Sequence, residues 1–223
     1  MTRLFSYCLP FDDGAAPNPF WGLCTLAICK PAIRRAAHVG DWVLGTGSVN
    51  SPIGNISESV VYAMRVTQKL TMADYDAFTR KRLKFKIPAP RSKDPRRIVG
   101  DSIYDFDLPA VPQRSGSVHE EANRDTDLEG EFVLLSNHFF YFGDQPVVLP
   151  QSLLPVVKHG QGHRSNSNAP YLEEFVRWIE GLGVAPRSLS GQPQWWRHHP
   201  PATLVGACAA GRREEAESDV ESD

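Results

Sequence analysis

No stretch of this chain approaches the roughly 20 consecutive apolar residues that a membrane-spanning helix needs. Its N-terminus, Met-Thr-Arg-Leu-Phe-Ser-Tyr-Cys, runs into polar residues and prolines and does not read as a signal peptide. A cytoplasmic protein with no membrane partner is expected. Cysteine is scarce: Cys8, Cys24, Cys29 and Cys208 lack paired CxxC spacing and lie mostly in apolar, strand-like segments. Buried thiols fit that setting better than a disulfide framework or a zinc site, so no metal is expected. His159 and His163 have i, i+4 spacing, but two intervening glycines oppose a helix, and no third ligand lies nearby. A P-loop, an HxE…PCxxC deaminase signature and a GxSxG elbow are all missing. The cofactor is left unspecified.

What the chain does contain is the composition of an ordinary soluble domain: 223 residues, 41% hydrophobic and 22% charged. Net charge is −2, unevenly placed: the tail from Gly211 holds six acids and two arginines, leaving a body of +2. The reading is one domain over residues 1–210 and an acidic, disordered tail over 211–223 that solubilises the chain or mimics nucleic acid.

Strands are expected at Arg3–Leu9, Leu23–Cys29, Asp41–Leu44, Ser59–Thr67, Glu131–Ser136 and His138–Tyr141, from short apolar or alternating runs. Pro31 suits the first turn of a helix over Ala32–Ala37, stopped by Gly40. Thr71 caps a second helix down to about Leu83, with Asp74 three residues on. Asn168 caps a third, starting at Pro170 within a helical extension at 165–185; Leu172, Phe175, Val176 and Ile179 form its buried stripe, and Gly181 and Gly183 end it. Pro88–Arg97 reads as loop and Pro109–Gly130 as a long exposed excursion. Five or six strands and about three short helices make the fold class α+β.

The loop Asp12–Phe20 gathers acceptors (Asp12, Asp13), an amide (Asn18) and flat faces (Phe20, Trp21), the parts a nucleobase site needs, although Pro17 and Pro19 equally suit a stiffened turn. Lys30 and Arg34, i and i+4 beside a helix start, make a phosphate pair or a solvated helix face. From Arg80 to Arg97 there are nine Lys/Arg residues and one acid, Asp94. Lys84-Phe85-Lys86, read as extended chain, turns both lysines to one side, toward phosphate. Asp101, Tyr104 and His138 complete the polar–aromatic inventory; alternation puts His138, Phe140 and Phe142 on one strand face and Phe139 and Tyr141 on the other. Cys29 precedes a helix start, where an exposed thiol would be acidified, but its apolar setting favours burial. No Cys–His or Asp–His pair can be assembled from the sequence.

Taken together, several runs resemble the nucleotide modification associated domain family, type two: Phe-Asp-Asp-Gly-Ala-Ala-Pro-Asn-Pro-Phe, Cys-Lys-Pro-Ala-Ile-Arg-Arg, Val-Gly-Asp-Trp-Val-Leu-Gly-Thr-Gly-Ser, Val-Tyr-Ala-Met-Arg-Val, Gly-Asp-Ser-Ile-Tyr and Phe-Phe-Tyr-Phe-Gly-Asp. The resemblance runs from about Leu4 to Gly143, beyond which the chain looks peculiar to itself or its near relatives. It implies association with systems that modify, remove or recognise altered DNA bases, often related to phage or defence. Residue by residue it points to Asp13, Asn18, Lys30, Arg34, Asp41, Ser48, Asp101, Tyr104 and His138. The order of elements also resembles the small pseudo-barrels of the PUA, ASCH and EVE superfamily, which implies a mixed, mostly antiparallel barrel or half-barrel flanked by short helices.

The expectation is therefore a domain that binds a nucleotide or a modified base in nucleic acid. Phe20, Trp21 and Tyr104 would stack; Asn18, Asp13 and Asp101 would read edges; Lys30, Arg34 and Lys86 would hold phosphate. The alternatives are an enzyme using Asp13, Asp101 or His138 as general acid or base, and a module that docks a DNA-modifying enzyme through an apolar patch near Trp195–Trp196.

Overall fold

The computed structural model describes residues 1–197. His198, His199, Cys208 and the acidic tail lie outside the described residues. The chain forms two open sheets and a set of short helices, an α+β fold with mostly antiparallel pairing. Strand β1 (Leu4–Cys8) pairs in parallel with β3 (Trp42–Thr46), which pairs antiparallel with β4 (Ser59–Arg65). Next come β7 (His138–Tyr141) against β4, β8 (Val147–Val148) against the start of β4, and β9 (Ser188–Leu189) parallel to β7. A second sheet joins β2 (Cys24–Leu26), β6 (Phe132–Ser136) and β5 (Gln68–Thr71), all antiparallel. Among the described residues neither sheet closes on itself: of the expected barrel or half-barrel, the mixed, mostly antiparallel strands with flanking short helices are present and a closed barrel is not.

Alternation along β7 decides the layering. Phe139 and Tyr141 point into a core shared with the small sheet, together with Tyr7, Met64, Leu26 and Leu135. Phe140, with Phe142 beyond the strand, points the other way, onto Leu153, Val156, Phe175 and Ile179. The last two sit four residues apart on helix α5 (Leu172–Glu180), one face of which is buried, as its sequence period predicts. Asn168 does not cap that helix. A 3₁₀ segment, Asn166–Tyr171, precedes it, and the buried Asn168 amide instead donates to the Leu4 carbonyl (3.0 Å) and to Ser6 Oγ (2.8 Å). Strand β1 lies at a sheet edge, where a carbonyl without a strand partner needs a donor.

The remaining helices are α1 (Pro31–Ala36), α2 (Met72–Arg82), α3 (Pro95–Ile98) and α4 (Arg124–Glu129). Pro31 opens α1 as expected, and the Thr71 hydroxyl caps α2 by accepting from the Asp74 amide. Three expectations are corrected. Residues 84–86 form a 3₁₀ turn rather than extended chain. The loop before Arg97 contains α3, capped by Asp94. The excursion at 109–130 is exposed only in part: it contains α4 and buries Ser117, Val118, His119 and Asp127. Among the described residues no helix is long and apolar enough to cross a membrane.

Candidate functional site

The expected phosphate and edge-reading residues are mostly inside the protein. Lys86 is fully buried, its ammonium donating to the Asn18 carbonyl (2.7 Å), Asn18 Oδ1 (2.7 Å) and Thr25 Oγ1 (2.8 Å). Thr25 and Tyr75 both donate to Asp101, the latter at 2.7 Å, and Asn18 Nδ2 reaches the Val99 carbonyl at 2.9 Å. Lys86, Asn18 and Asp101 are thus brought together as a closed network that ties the Asn18 turn, β2 and the 3₁₀ turn at 84–86. Burial lowers the Lys86 ammonium to about 8, against the pull of Asp101, and burial raises Asp101 despite Lys86. Each of the three ammonium hydrogens has an acceptor, so Lys86 has none left for a phosphate.

Arg34 is also fully buried. Its guanidinium donates to the carbonyls of Cys29 (2.7 Å), Asp127 (2.5 Å) and Phe132 (2.9 Å), clamping the start of α1 to α4 and β6. A Cβ at Gly130 would lie 2.1 Å from that guanidinium, which is why glycine stands there. Lys30 does not share Arg34's face; its ammonium lies 5.1 Å over the Tyr7 ring. Asp13 accepts from the Ala15 amide (2.8 Å), and Phe20 is buried and stacked on Trp196 (5.5 Å). Asp41 holds Arg3 and the His38 amide, and Ser48 accepts from the Asn50 amide (3.1 Å). His138 is half-buried, 3.3 Å from Glu180 and edge-on to Trp42. Trp195 packs on Phe11 (4.2 Å) and the Trp196 indole donates to the Asp13 carbonyl (2.9 Å), so this pair does not form the exposed patch a docking module would need.

Two arrangements remain. The first is exposed. Trp21 and Phe85 stack at 4.8 Å; the Arg96 guanidinium lies 4.5 Å over Trp21 and that of Arg97 4.8 Å over Phe85. Phe85 is 49% exposed, whereas Trp21 is half-buried against the core and its buried indole N–H has no hydrogen-bond partner among the described residues. Exposed Lys81, Arg82, Lys84, Arg91 and Lys93 flank this stack in sequence, and none has an ion pair among the described residues. Arg80 is spent on Asp76 and Asp107, and Arg96 is shared with Asp94.

The second is buried, and of its members only Cys29 and Tyr104 stood out in the sequence. Cys29 Sγ lies 3.3 Å from His119 Nε2, and His119 Nδ1 lies 2.5 Å from Asp127 Oδ2. Tyr104 donates its hydroxyl to the same Asp127 oxygen (2.8 Å), while the Cys29 amide donates to the other (2.8 Å). Burial opposes charge on His119, but Asp127 and then Cys29 outweigh it and raise the ring to about 10. Asp127 is lowered: burial works against this, and His119 and Arg34 overcome it. Tyr104, expected as a stacking face, serves here as a donor. His119 and Asp127 lie in the segment read as an exposed excursion; a lone His among acids there carries no periodicity to mark it.

Fold and site define an open α+β domain with a cationic, aromatic surface and a buried Cys–His–Asp array. The model of nucleotide modification associated domain 2 matches residues 1–200, so the chain belongs to that family, and the match continues well past Gly143. No curated protein and no solved structure matches the chain.

Proposed function

We propose that the protein binds a nucleotide chain through the Arg96–Trp21–Phe85–Arg97 stack, as the nucleic-acid-contacting part of a cytoplasmic DNA-modification or phage-defence-related system. The stack is the observation that carries this reading. Guanidinium planes and aromatic rings are the surfaces on which unpaired bases stack, each worth about 1–3 kcal/mol. The flanking lysines and arginines supply the sequence-independent attraction to phosphate. The membership in a nucleotide-modification family supports the same choice of ligand. Phosphate recognition moves from Lys86 and Arg34, which are buried, to Lys81, Arg82, Lys84, Arg91 and Lys93.

The test is fluorescence anisotropy of a labelled single-stranded oligonucleotide across a salt series, with duplex DNA and free nucleotides in parallel. Arg97→Ala together with Phe85→Ala should weaken single-strand binding about tenfold or more. Lys84→Ala should weaken it less and reduce the salt slope by about one. No binding of any of these ligands to the unaltered protein at low salt would overturn the reading.

A further inference from the structure

We propose that Cys29 is a catalytic nucleophile, with His119 as its proton carrier and Asp127 as the positioning residue, acting on a carbonyl group of the ester, thioester or amide class. This is an activity beyond nucleic-acid binding, and its evidence is independent of the exposed stack.

Three chain segments converge to build the array. Cys29 comes from the turn between β2 and α1, His119 from the loop before α4, and Asp127 from α4 itself. The hydrogen bonds run in sequence from thiol to imidazole to carboxylate, the order in which a nucleophile, its base and an orienting group act. Asp127 is fixed in turn by Tyr104 and by the Cys29 amide, and Arg34 holds the Cys29 and Asp127 carbonyls together. Cys29 (φ 61°) and Lys30 (φ 43°) are consecutive non-glycine residues in the left-handed region. Such backbone is unfavourable for residues with a side chain and clusters at functional sites.

The charged groups around the sulfur agree with this role. His119 is raised and Asp127 lowered, so the imidazolium faces the sulfur near neutral pH and favours the thiolate. The buried Cys24 thiol makes the contrast: burial pushes it up to about 12. Cys29 and His119 are 5% and 4% exposed; His119, though not Cys29, lines a cleft of about 370 Å³ with Gln113, Arg114, Ser117 and Glu120, so the cleft reaches the base and the side chains between it and the sulfur must move to admit a substrate. The three side chains lie close enough to hold a metal ion. The hydrogen bonds argue for the other role: the imidazole faces the sulfur with Nε2 and the carboxylate with Nδ1, so an ion held through either nitrogen would break one of those two contacts.

In the step this supports, the Cys29 thiolate attacks the carbonyl carbon and forms the S–C bond. The C–O, C–S or C–N bond to the leaving group then breaks as His119 Nε2–H gives that group its proton. Water, or an amine acceptor, attacks the resulting thioester, returns a proton to His119 and frees the thiolate. No oxidant or reductant is needed.

The test treats the full chain, with a chelator present, with iodoacetamide from pH 5 to 9 and maps the alkylated cysteines by mass spectrometry. Cys29 should label at a rate that stays high at pH 6, where an ordinary thiol with a pKa of about 8.5 has slowed by more than about a hundredfold. His119→Asn should restore the ordinary profile. His119→Gln, which keeps hydrogen-bonding groups on the side chain, serves if the first variant does not fold. p-Nitrophenyl acetate should release a burst of about one p-nitrophenolate per chain, lost in Cys29→Ser. Cys29 as protected as Cys24, or an ordinary profile indifferent to His119, would overturn the nucleophile. Labelling without a burst would overturn the acyl-transfer step.

Discussion

On one face of the six-stranded sheet, Leu4, Trp42, Leu44, Phe140 and Phe142 meet Phe175 and Ile179 of α5 with hardly a polar atom among them. The other face meets the small sheet, and there the core is threaded with groups that carry or share charge: Lys86 with Asp101, Arg34 with Asp127 and His119, Asp12 with Tyr141, Tyr7 with Tyr62. A scaffold needs only the first kind of packing. Buried charges are costly to keep, and the second face holds several in proximity. The asymmetry teaches that one side of the sheet is support and the other is where chemistry is worth seeking.

That comparison can be broken in three ways. Phe175→Ala empties a fully buried site packed edge-on against Trp42 and should cost about 3–5 kcal/mol, by the same amount at pH 5 and pH 8 in denaturant melts. A pH dependence that survives His138→Gln, which removes the His138–Glu180 pair on this same face, would show that the two faces are coupled. Asp12 offers the opposite behaviour. Burial pushes its carboxyl up to about 7, over the lowering by the Tyr141 hydroxyl. The folded state therefore keeps a proton that the unfolded chain releases near pH 4, and stability should fall as pH rises from about 4 to 7, by on the order of 4 kcal/mol. Asp12→Asn should flatten that slope, read from melts across the same range. The smallest effect is expected from Tyr7→Phe, which takes a 2.9 Å partner from the Tyr62 hydroxyl and should cost about 1–3 kcal/mol in the same melts.

The elements with strong local signals were legible in the chain. Pro31 starting a helix, Thr71 capping one, and the alternation through His138–Tyr141 all depend on neighbours within a few residues, and all appear. The sites were harder, for a physical reason. Lys86, Arg34, Asn18 and Asp101 are the residue types that recognise nucleotides, but the same hydrogen-bonding capacity satisfies a buried backbone. Only tertiary contacts 68 residues apart, as for Lys86 and Asn18, tell the two uses apart. Asn168 shows the same ambiguity on a smaller scale: a good capping residue by type, it went to a sheet edge 164 residues away. Cys29 was noticed for its helix start, whereas its partner His119, 90 residues on, had no local mark at all.

One contact set has a temporal meaning. Trp195 and Trp196 donate to the carbonyls of Asp12 and Asp13, each across 183 residues of chain, and Trp196 stacks on Phe20. A nascent chain makes the Asp12–Phe20 loop early and its cover late, so this loop waits, wet and unclosed, until nearly all the described chain has emerged. Contacts of such long range are the slow ones in folding. Among the described residues, one of the last segments to be synthesised thus covers one of the first.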